Sequence, residues 1–365
     1  MTDRTDQKLV ADLVSGVLRA HQRADLDDAA LWTQLEELGL TLAAMPESLG
    51  GAGGSMAEVL TILRVAAAHG VSLPLLETGM LAGGLLAAAR LSAVQGPMAI
   101  APTGFDERIR ARRRHGVAWL SGESRRTPYA PSATCFVISA RDDNGAPLVA
   151  RVASDVAGVA VVPETSRAGY GRVTLSDARA EAITVDEDAG PEQMLRRAAL
   201  GRCVMIVGAL STVRDLTVRH ASERAQFGRP LRSFQAVEHQ LAVLSRERAL
   251  AAAVTDAATS TLLAGGSLSL VDVAAAKVTC GKAAATVSAI AHQLHGAVGI
   301  TREHPLSRFT TLLGWWRADY GGERAWAEAL GGELGRGDAW RTIAGSFSPS
   351  PRPAAVARTV AVGRR

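Results

Sequence analysis

The sequence predicts a mainly α fold with a small central antiparallel β domain. Three observations carry it. Apolar residues recur at helical spacing up to about residue 96, alternate with period two between 97 and 188, and form long proline-poor stripes from 189 to about 345. Helices, then strands, then helices again is an order that narrows the choice of architecture.

In the first region, Val10, Leu13, Val14, Val17 and Leu18 lie three and four apart, and Leu31, Trp32, Leu35, Leu38 and Leu40 repeat the stripe. A glycine-rich turn, Pro46-Glu-Ser-Leu-Gly-Gly-Ala-Gly-Gly-Ser55, ends on a serine suited to capping a helix, with Glu58 three residues on completing a capping box. Helices are expected over 56–69 and 76–91. In the second region the strands expected are 116–122, 134–140, 147–152, 158–162 and 172–175. Asn144-Gly145 supplies the positive φ angles of a hairpin turn. Together they read as a β-barrel-like module. In the third region, helices over 194–222, 234–263 and 270–294 are too long to stand by propensity and must pack on one another as a C-terminal four-helix bundle. Gly265-Gly-Ser267 marks a turn between two of them, and 346–365 reads as a flexible tail. The domains are thus 1–96, 97–188, 189–345 and the tail.

Composition removes several function classes. Of 365 residues, 47% are hydrophobic and 21% charged, which rules out wholesale disorder. A net charge of +4, with basic and acidic residues interspersed, gives no nucleic-acid footprint. The one basic run, Arg108-Ile-Arg-Ala-Arg-Arg-Arg-His115, lacks interleaved aromatics and reads as a solvated loop or an edge feeding into a strand. Cys135, Cys203 and Cys280 are widely separated in apolar segments, so buried free thiols are expected. His292 and His295 are three apart on a helix but have no acidic or thiol partner at ligand spacing, so no metal is assigned. Gly50-Gly-Ala-Gly-Gly54 follows no strand and is no dinucleotide fingerprint. Trp315-Trp316 reads as packing. The polar N-terminus and the absence of about 20 uninterrupted apolar residues point to a cytoplasmic chain with no signal peptide and no membrane span.

The motifs lie in the C-terminal half. Arg224-Ala-Gln-Phe-Gly-Arg-Pro-Leu231 runs on to Ser233-Phe-Gln235, and Gln293-Leu-His-Gly-Ala-Val-Gly-Ile-Thr-Arg-Glu-His-Pro-Leu306 follows about sixty residues later. A guanidinium at the end of a long helix is suited to a pyrophosphate, Phe227 to an adenine face, and Gln235 and Gln293 to sugar and phosphate contacts. Gly296 and Gly299 permit close backbone approach to an anion. In residues and spacing these stretches resemble the two signatures of the acyl-CoA dehydrogenase family, and Pro46-Glu-Ser-Leu-Gly-Gly51 resembles its N-terminal turn.

The resemblance covers the chain to about residue 340. It implies FAD as cofactor, an acyl-CoA thioester as substrate, a homo- or hetero-tetramer with a related subunit, and an electron-transfer acceptor. It implies that Arg224, Gln226, Phe227, Phe234, Gln235, Gln293 and Gly296 hold the ADP half of FAD across a subunit interface. The reaction implied is α,β-desaturation, in which a carboxylate takes the α proton and flavin N5 the β hydride.

The catalytic and flavin-ring positions depart from the pattern. The family's base falls on Tyr320 or, in a minority, on about Ala198, and neither is a carboxylate. Asp319 and Glu323 are the candidate substitutes. Ile100-Ala-Pro-Thr-Gly104 shortens the family's flavin loop, and Arg125-Arg-Thr-Pro-Tyr129 replaces the strand end that flanks its ring. Two expectations follow: an FAD-dependent acyl-CoA dehydrogenase using an unorthodox base, or the non-catalytic partner subunit of a heterotetrameric enzyme sharing one FAD site.

Overall fold

A computed structural model describes residues 4–24, 27–114 and 117–335; the tail expected over 346–365 lies outside them. Helix α1 (Arg4–Ala24) buries Val14, Val17 and Leu18 but leaves Leu9 and Leu13 exposed. Helix α2 (Asp28–Glu37) is capped by Asp27, whose carboxylate accepts the Ala30 N–H at 2.8 Å. At the start of α3 (Met56–Ala68) the Ser55 hydroxyl accepts the Glu58 N–H at 3.4 Å and donates to the Glu58 carboxylate at 2.9 Å. The capping pair is present, closed through its two side chains.

The next helix opens with a π-helical stretch, Leu76–Ala82, before one α turn and a half, α4 (Gly83–Ala88). The wide stretch turns Glu77 and Thr78 into the interior. Thr78 exchanges hydrogen bonds with the Met98 backbone N and O at 2.9 and 3.2 Å, tying the helical region to the first strand.

The middle module is a closed barrel. Strands β1 (Met98–Ala101), β2 (Ile109–Arg114), β3 (Val117–Pro128), β4 (Cys135–Asp142), β5 (Pro147–Ala153), β6 (Val159–Pro163) and β7 (Tyr170–Thr184) form one sheet, in which β4 pairs on one edge with β5 and on the other with β1 and β2. The pairings are antiparallel except those of β1 and β2 with β4. The reason is that β1 and β2 are one strand line broken by a turn, both running beside β4 in the same direction. The basic run forms β2 rather than a loop: Ile109 and Ala111 point into the barrel while Arg110 and Arg112 face out. Arg112 pairs with Asp177 at 2.6 Å across the sheet. Alternation was hidden because the inward residues are few and one is alanine. The hairpin at Asn144-Gly145 is present, with Gly145 at φ +82 and the Asp142 N–H donating to the Ala146 carbonyl at 2.9 Å.

The C-terminal region is built from α5 (Pro191–Glu223), α6 (Gln235–Leu263), α7 (Leu270–His295), α8 (Pro305–Trp316) and α9 (Glu323–Leu334). Residues 270–300 are long and apolar enough to cross a membrane by composition, but half of them are buried inside the bundle, where α7 packs against α5 and α6. One hydrophobic core runs through the N-terminal helices, the bundle and the outer row of the barrel, and a second fills the barrel. β4 serves both: Phe136, Ile138 and Ala140 face inward, Cys135 and Val137 outward. Cys135, Cys203 and Cys280 are buried free thiols.

Where α3 crosses α5 the backbones nearly touch. A Cβ added at Gly208 would lie 2.3 Å from the Arg64 carbonyl oxygen and 3.2 Å from the Ala67 Cβ. Gly208→Ala therefore forces the two helices apart. It is expected to lower the unfolding free energy by about 1–3 kcal/mol, read as a drop in the urea midpoint at unchanged slope.

Candidate functional site

The two positions at which a catalytic carboxylate was sought, Tyr320 and Ala198, both border one buried junction. Ala198 is fully buried on α5, one turn before Arg202 on the same helix face. Tyr320 is buried after α8, in a left-handed conformation with φ +54. It donates its hydroxyl proton to the Glu77 carboxylate at 2.7 Å.

Arg202 organises the junction. Its guanidinium is fully buried, donating from Nη2 to Glu77 Oε1 at 2.6 Å and from Nε to Asp319 Oδ2 at 2.9 Å. Asp319 is engaged on both oxygens: Oδ2 also accepts the Tyr170 hydroxyl at 2.7 Å, and Oδ1 pairs with Arg167 at 3.1 Å. Arg167, nine-tenths buried, lies over the Tyr170 ring at 3.9 Å and near Trp315 at 5.5 Å. Two guanidiniums thus neutralise two carboxylates out of contact with water. Burial pushes the Glu77 carboxyl above the usual range, opposed by Arg202 and by the Tyr320 hydroxyl. Burial also raises the Tyr170 and Tyr320 phenols.

The turn that carries Asp319 and Tyr320 is held from below. The fully buried Lys277 donates to the carbonyls of Trp316 and Arg317 at 2.9 and 3.1 Å, capping the end of α8 with a cation. Trp326 donates its indole N–H to the Tyr320 carbonyl at 2.9 Å. Glu323, the other candidate, begins α9 and pairs with Arg317 at 2.8 Å; it does not join the Asp319 cluster.

The shortened loop between β1 and β2 is closed by a carboxylate as well. Glu107 accepts the backbone N–H groups of Thr103, Gly104 and Arg125 at 2.8, 3.1 and 2.8 Å, and the Ser124 hydroxyl at 2.8 Å. These donors lie in the loop and strand end that the resemblance places beside a flavin ring. Tyr129, next along, is buried in a left-handed conformation and meets Ser72 at 3.1 Å and the Tyr170 ring at 6.5 Å. A cavity of about 550 Å³ lies outside this seal, bounded by Phe105, Arg108, Arg110, Met194, Leu195 and Trp326 among others; it does not reach Tyr320 or Asp319.

The residues expected to hold an ADP group lie at the far end of the bundle. Arg224 ends α5 and is followed by a short hairpin, Ala225–Gln226 against Arg229–Pro230, with Phe227 at its tip at φ +51. Phe227 is 91% exposed, and its ring meets Phe234 edge-on at 6.2 Å. Arg224, Gln226, Gln235 and Gln293 are also exposed. Gly296 ends α7 at φ +63, ψ −147, a conformation open to glycine, with free space where a Cβ would stand. Gly299 instead packs: an added Cβ would lie 2.7 Å from the His295 Cβ and 3.0 Å from Leu306. The two motifs are joined by stacked imidazoles, His220 of α5 on His295 of α7 at 4.3 Å.

Glu77, Arg202, Arg167 and Glu107 were not singled out from sequence. The available signal was a lone charge inside an apolar helical stretch, Arg202 among Leu200–Leu210 and Glu77 among Leu75–Leu86.

Among known families, the N-terminal domain model of acyl-CoA dehydrogenase matches residues 3–90 and its C-terminal domain model residues 190–313. The chain is 29% identical over 369 aligned residues to acyl-CoA dehydrogenase FadE27 of Mycobacterium tuberculosis, covering 89% of this chain and 95% of that protein. It superposes on one chain of the ChsE4-ChsE5 complex of Mycobacterium tuberculosis with a TM-score of 0.82 at 26% identity, over 92% of this chain and 99% of that one. Butyryl-CoA dehydrogenase of Megasphaera elsdenii shares the fold, with a TM-score of 0.77 at 17% identity over 92% and 99% of the two chains.

Removing Arg202 alone strands Glu77 in the interior and takes one of its two cations from Asp319. Arg202→Met is expected to cost about 3–5 kcal/mol by urea denaturation, and Arg202→Met with Glu77→Gln to cost less than the sum of the single changes.

Proposed function

We propose, on the premise that the chain belongs to the acyl-CoA dehydrogenase family, that it is the non-catalytic partner subunit of a heteromeric acyl-CoA dehydrogenase and contributes to a shared FAD site. The observation that carries this reading is the buried junction. Both family base positions, Tyr320 and Ala198, lack a carboxylate, and the adjacent Asp319 has each oxygen committed to a guanidinium. A base must be free to accept a proton from substrate. Here Asp319 serves as the counter-ion of Arg202 and Arg167. Glu323 is held by Arg317 at the start of a helix.

FAD fits this chain in one half only. Arg224, Gln226, Phe227, Phe234, Gln235, Gln293 and Gly296 form an exposed surface at one end of the bundle, suited to the ADP half once a second chain covers it. The groups on the ring side do not fit: Glu107 takes the loop's N–H donors, and beyond the end of the same strand Tyr129, Tyr170 and Arg167 pack on one another. When bound, FAD accepts the β hydride of the thioester. In this reading Arg224 would hold the pyrophosphate and Phe227 the adenine, and a carboxylate of the other subunit would take the α proton. The pairing is in keeping with the ChsE4-ChsE5 complex, a two-component relative. The acyl-CoA substrate and the electron-transfer acceptor would belong to the assembled enzyme.

The chain purified alone is expected to show no flavin absorbance, and the complex with its related subunit to show a flavin spectrum and to reduce an artificial acceptor with acyl-CoA. A yellow, active homo-oligomer would sink the proposal. In the complex, Asp319→Asn is expected to leave turnover per bound flavin unchanged. Arg224→Ala is expected to weaken flavin retention about tenfold, for the loss of a charge-assisted pair to phosphate, measured by flavin released on dilution.

A further inference from the structure

Three imidazoles from three elements meet beneath the exposed end of the bundle. His220 of α5 stacks on His295 of α7 with ring centroids 4.3 Å apart at 25°, and His295 meets His304, the N-cap residue of α8, at 4.9 Å and 64°. The hydrogen bonds fix two tautomers. His295 Nδ1 donates to the Ala291 carbonyl at 2.8 Å, leaving Nε2 as a buried lone pair with no partner among the described residues. His304 Nδ1 accepts the Leu306 N–H at 3.2 Å, which also requires an unprotonated nitrogen. Gly299 lies directly against His295, and the Arg224 N–H is bonded to the His220 carbonyl at 2.8 Å. The segments that begin with Arg224 and Gly296 therefore both hang from this stack.

We propose that the His220–His295–His304 stack is an acid-released pin that holds the ends of α5 and α7 and the start of α8 together. Neutral rings pack face to face and edge to face. Protonation of His220 and His295 puts like charges in van der Waals contact. The charged groups around the stack do not offset this. Among the described residues, Arg224 from the end of α5 is a cation, Glu223 of α5 is the acid that acts on His220, and the exposed Glu303 stands next to His304 in the chain; His292 from α7 is a further imidazole, and Leu306 from α8 and Gly299 are uncharged. Burial first, then the neighbouring His304 and Arg224, hold His220 below the ordinary imidazole value against Glu223; burial holds His295 there too, opposed by its hydrogen bond to the Ala291 carbonyl and aided by His220, His304 and His292. The stability of this end is thus present above about pH 6.5 and is lost as pH falls toward the lower folded-state values. On the reading that this surface takes the ADP half of FAD, acid would loosen the flavin from its phosphate end.

The test is hydrogen–deuterium exchange on the flavin-loaded complex at about pH 7.5 and about pH 5.5, either side of the ordinary imidazole value. Backbone amides of 216–224 and 292–304, corrected for intrinsic rate, are expected to exchange about tenfold faster at the lower pH, the amount one proton supplies over the one unit below about pH 6.5, while those of α3 stay unchanged. His295→Phe, or the less buried His220→Phe, keeps a flat ring that cannot charge and is expected to remove most of the difference. Exchange that does not respond to pH in these segments, or that responds equally in both variants, overturns the proposal. If the segments open at low pH while flavin stays fully bound, the pin stands and the assignment of this surface to the ADP half falls.

Discussion

Burial of the Arg202 guanidinium is the constraint on which the interior depends. A charge of this kind is tolerated away from water only if its donors meet acceptors and its charge is matched. Here Glu77 arrives from a π-helical turn and Asp319 from the turn after α8, so one side chain sets where three distant stretches of chain must lie. Arg167 then follows from Asp319, whose second oxygen would otherwise stand alone, and brings the β6–β7 turn into the same cluster. Such a network contributes little net stability over a well-packed apolar core. It makes any other arrangement of the three regions costly, and it occupies space that smaller apolar residues would leave open.

The chain therefore has two faces of unequal chemistry. Inside, Arg202 pairs Glu77 with Asp319 and Glu107 takes the donors of its loop, while Glu77 Oε2 and two Arg167 nitrogens stay buried without a partner among the described residues. Outside, at the end of the bundle, Arg224, Phe227 and Gln293 are exposed at the surface, with Phe227 touching Phe234 edge-on. On the proposed reading the surface at the bundle end and the buried junction can diverge separately, because different elements hold them.

The helices, the domain order and the dinucleotide-like motifs were legible because each is written in spacing or in a long pattern. Proline-poor apolar stripes determined α5, α6 and α7 nearly to their ends. Strands β1 and β2 were not legible: β1 is four residues, and β2 shows the sequence mostly its outward arginines. The parallel pairings of both with β4 come from a turn made by Glu107, a contact with Ser124 and Arg125 that no local pattern records. Asp319 was found by its nearness to a motif, but its role depends on Arg202 and Arg167, more than a hundred residues away in sequence. Pairing between distant single charges has no periodicity to read. At Gly299 the missing side chain leaves room for His295 and Leu306, a packing role that the motif does not show.

β4 is wrapped on both sides, with Phe136 and Ile138 in the barrel and Cys135 and Val137 against the helices. The barrel strands leave the ribosome before α5 and α7 do, so the inner row can be covered at once and the outer row must wait. During that interval the nascent module shows an apolar wall fringed by β1, whose neighbour Thr78 already anchors it to the N-terminal helices. Synthesis order thus makes the first helices the barrel's provisional cover and the bundle its permanent one, which gives the N-terminal region a task before the protein is finished.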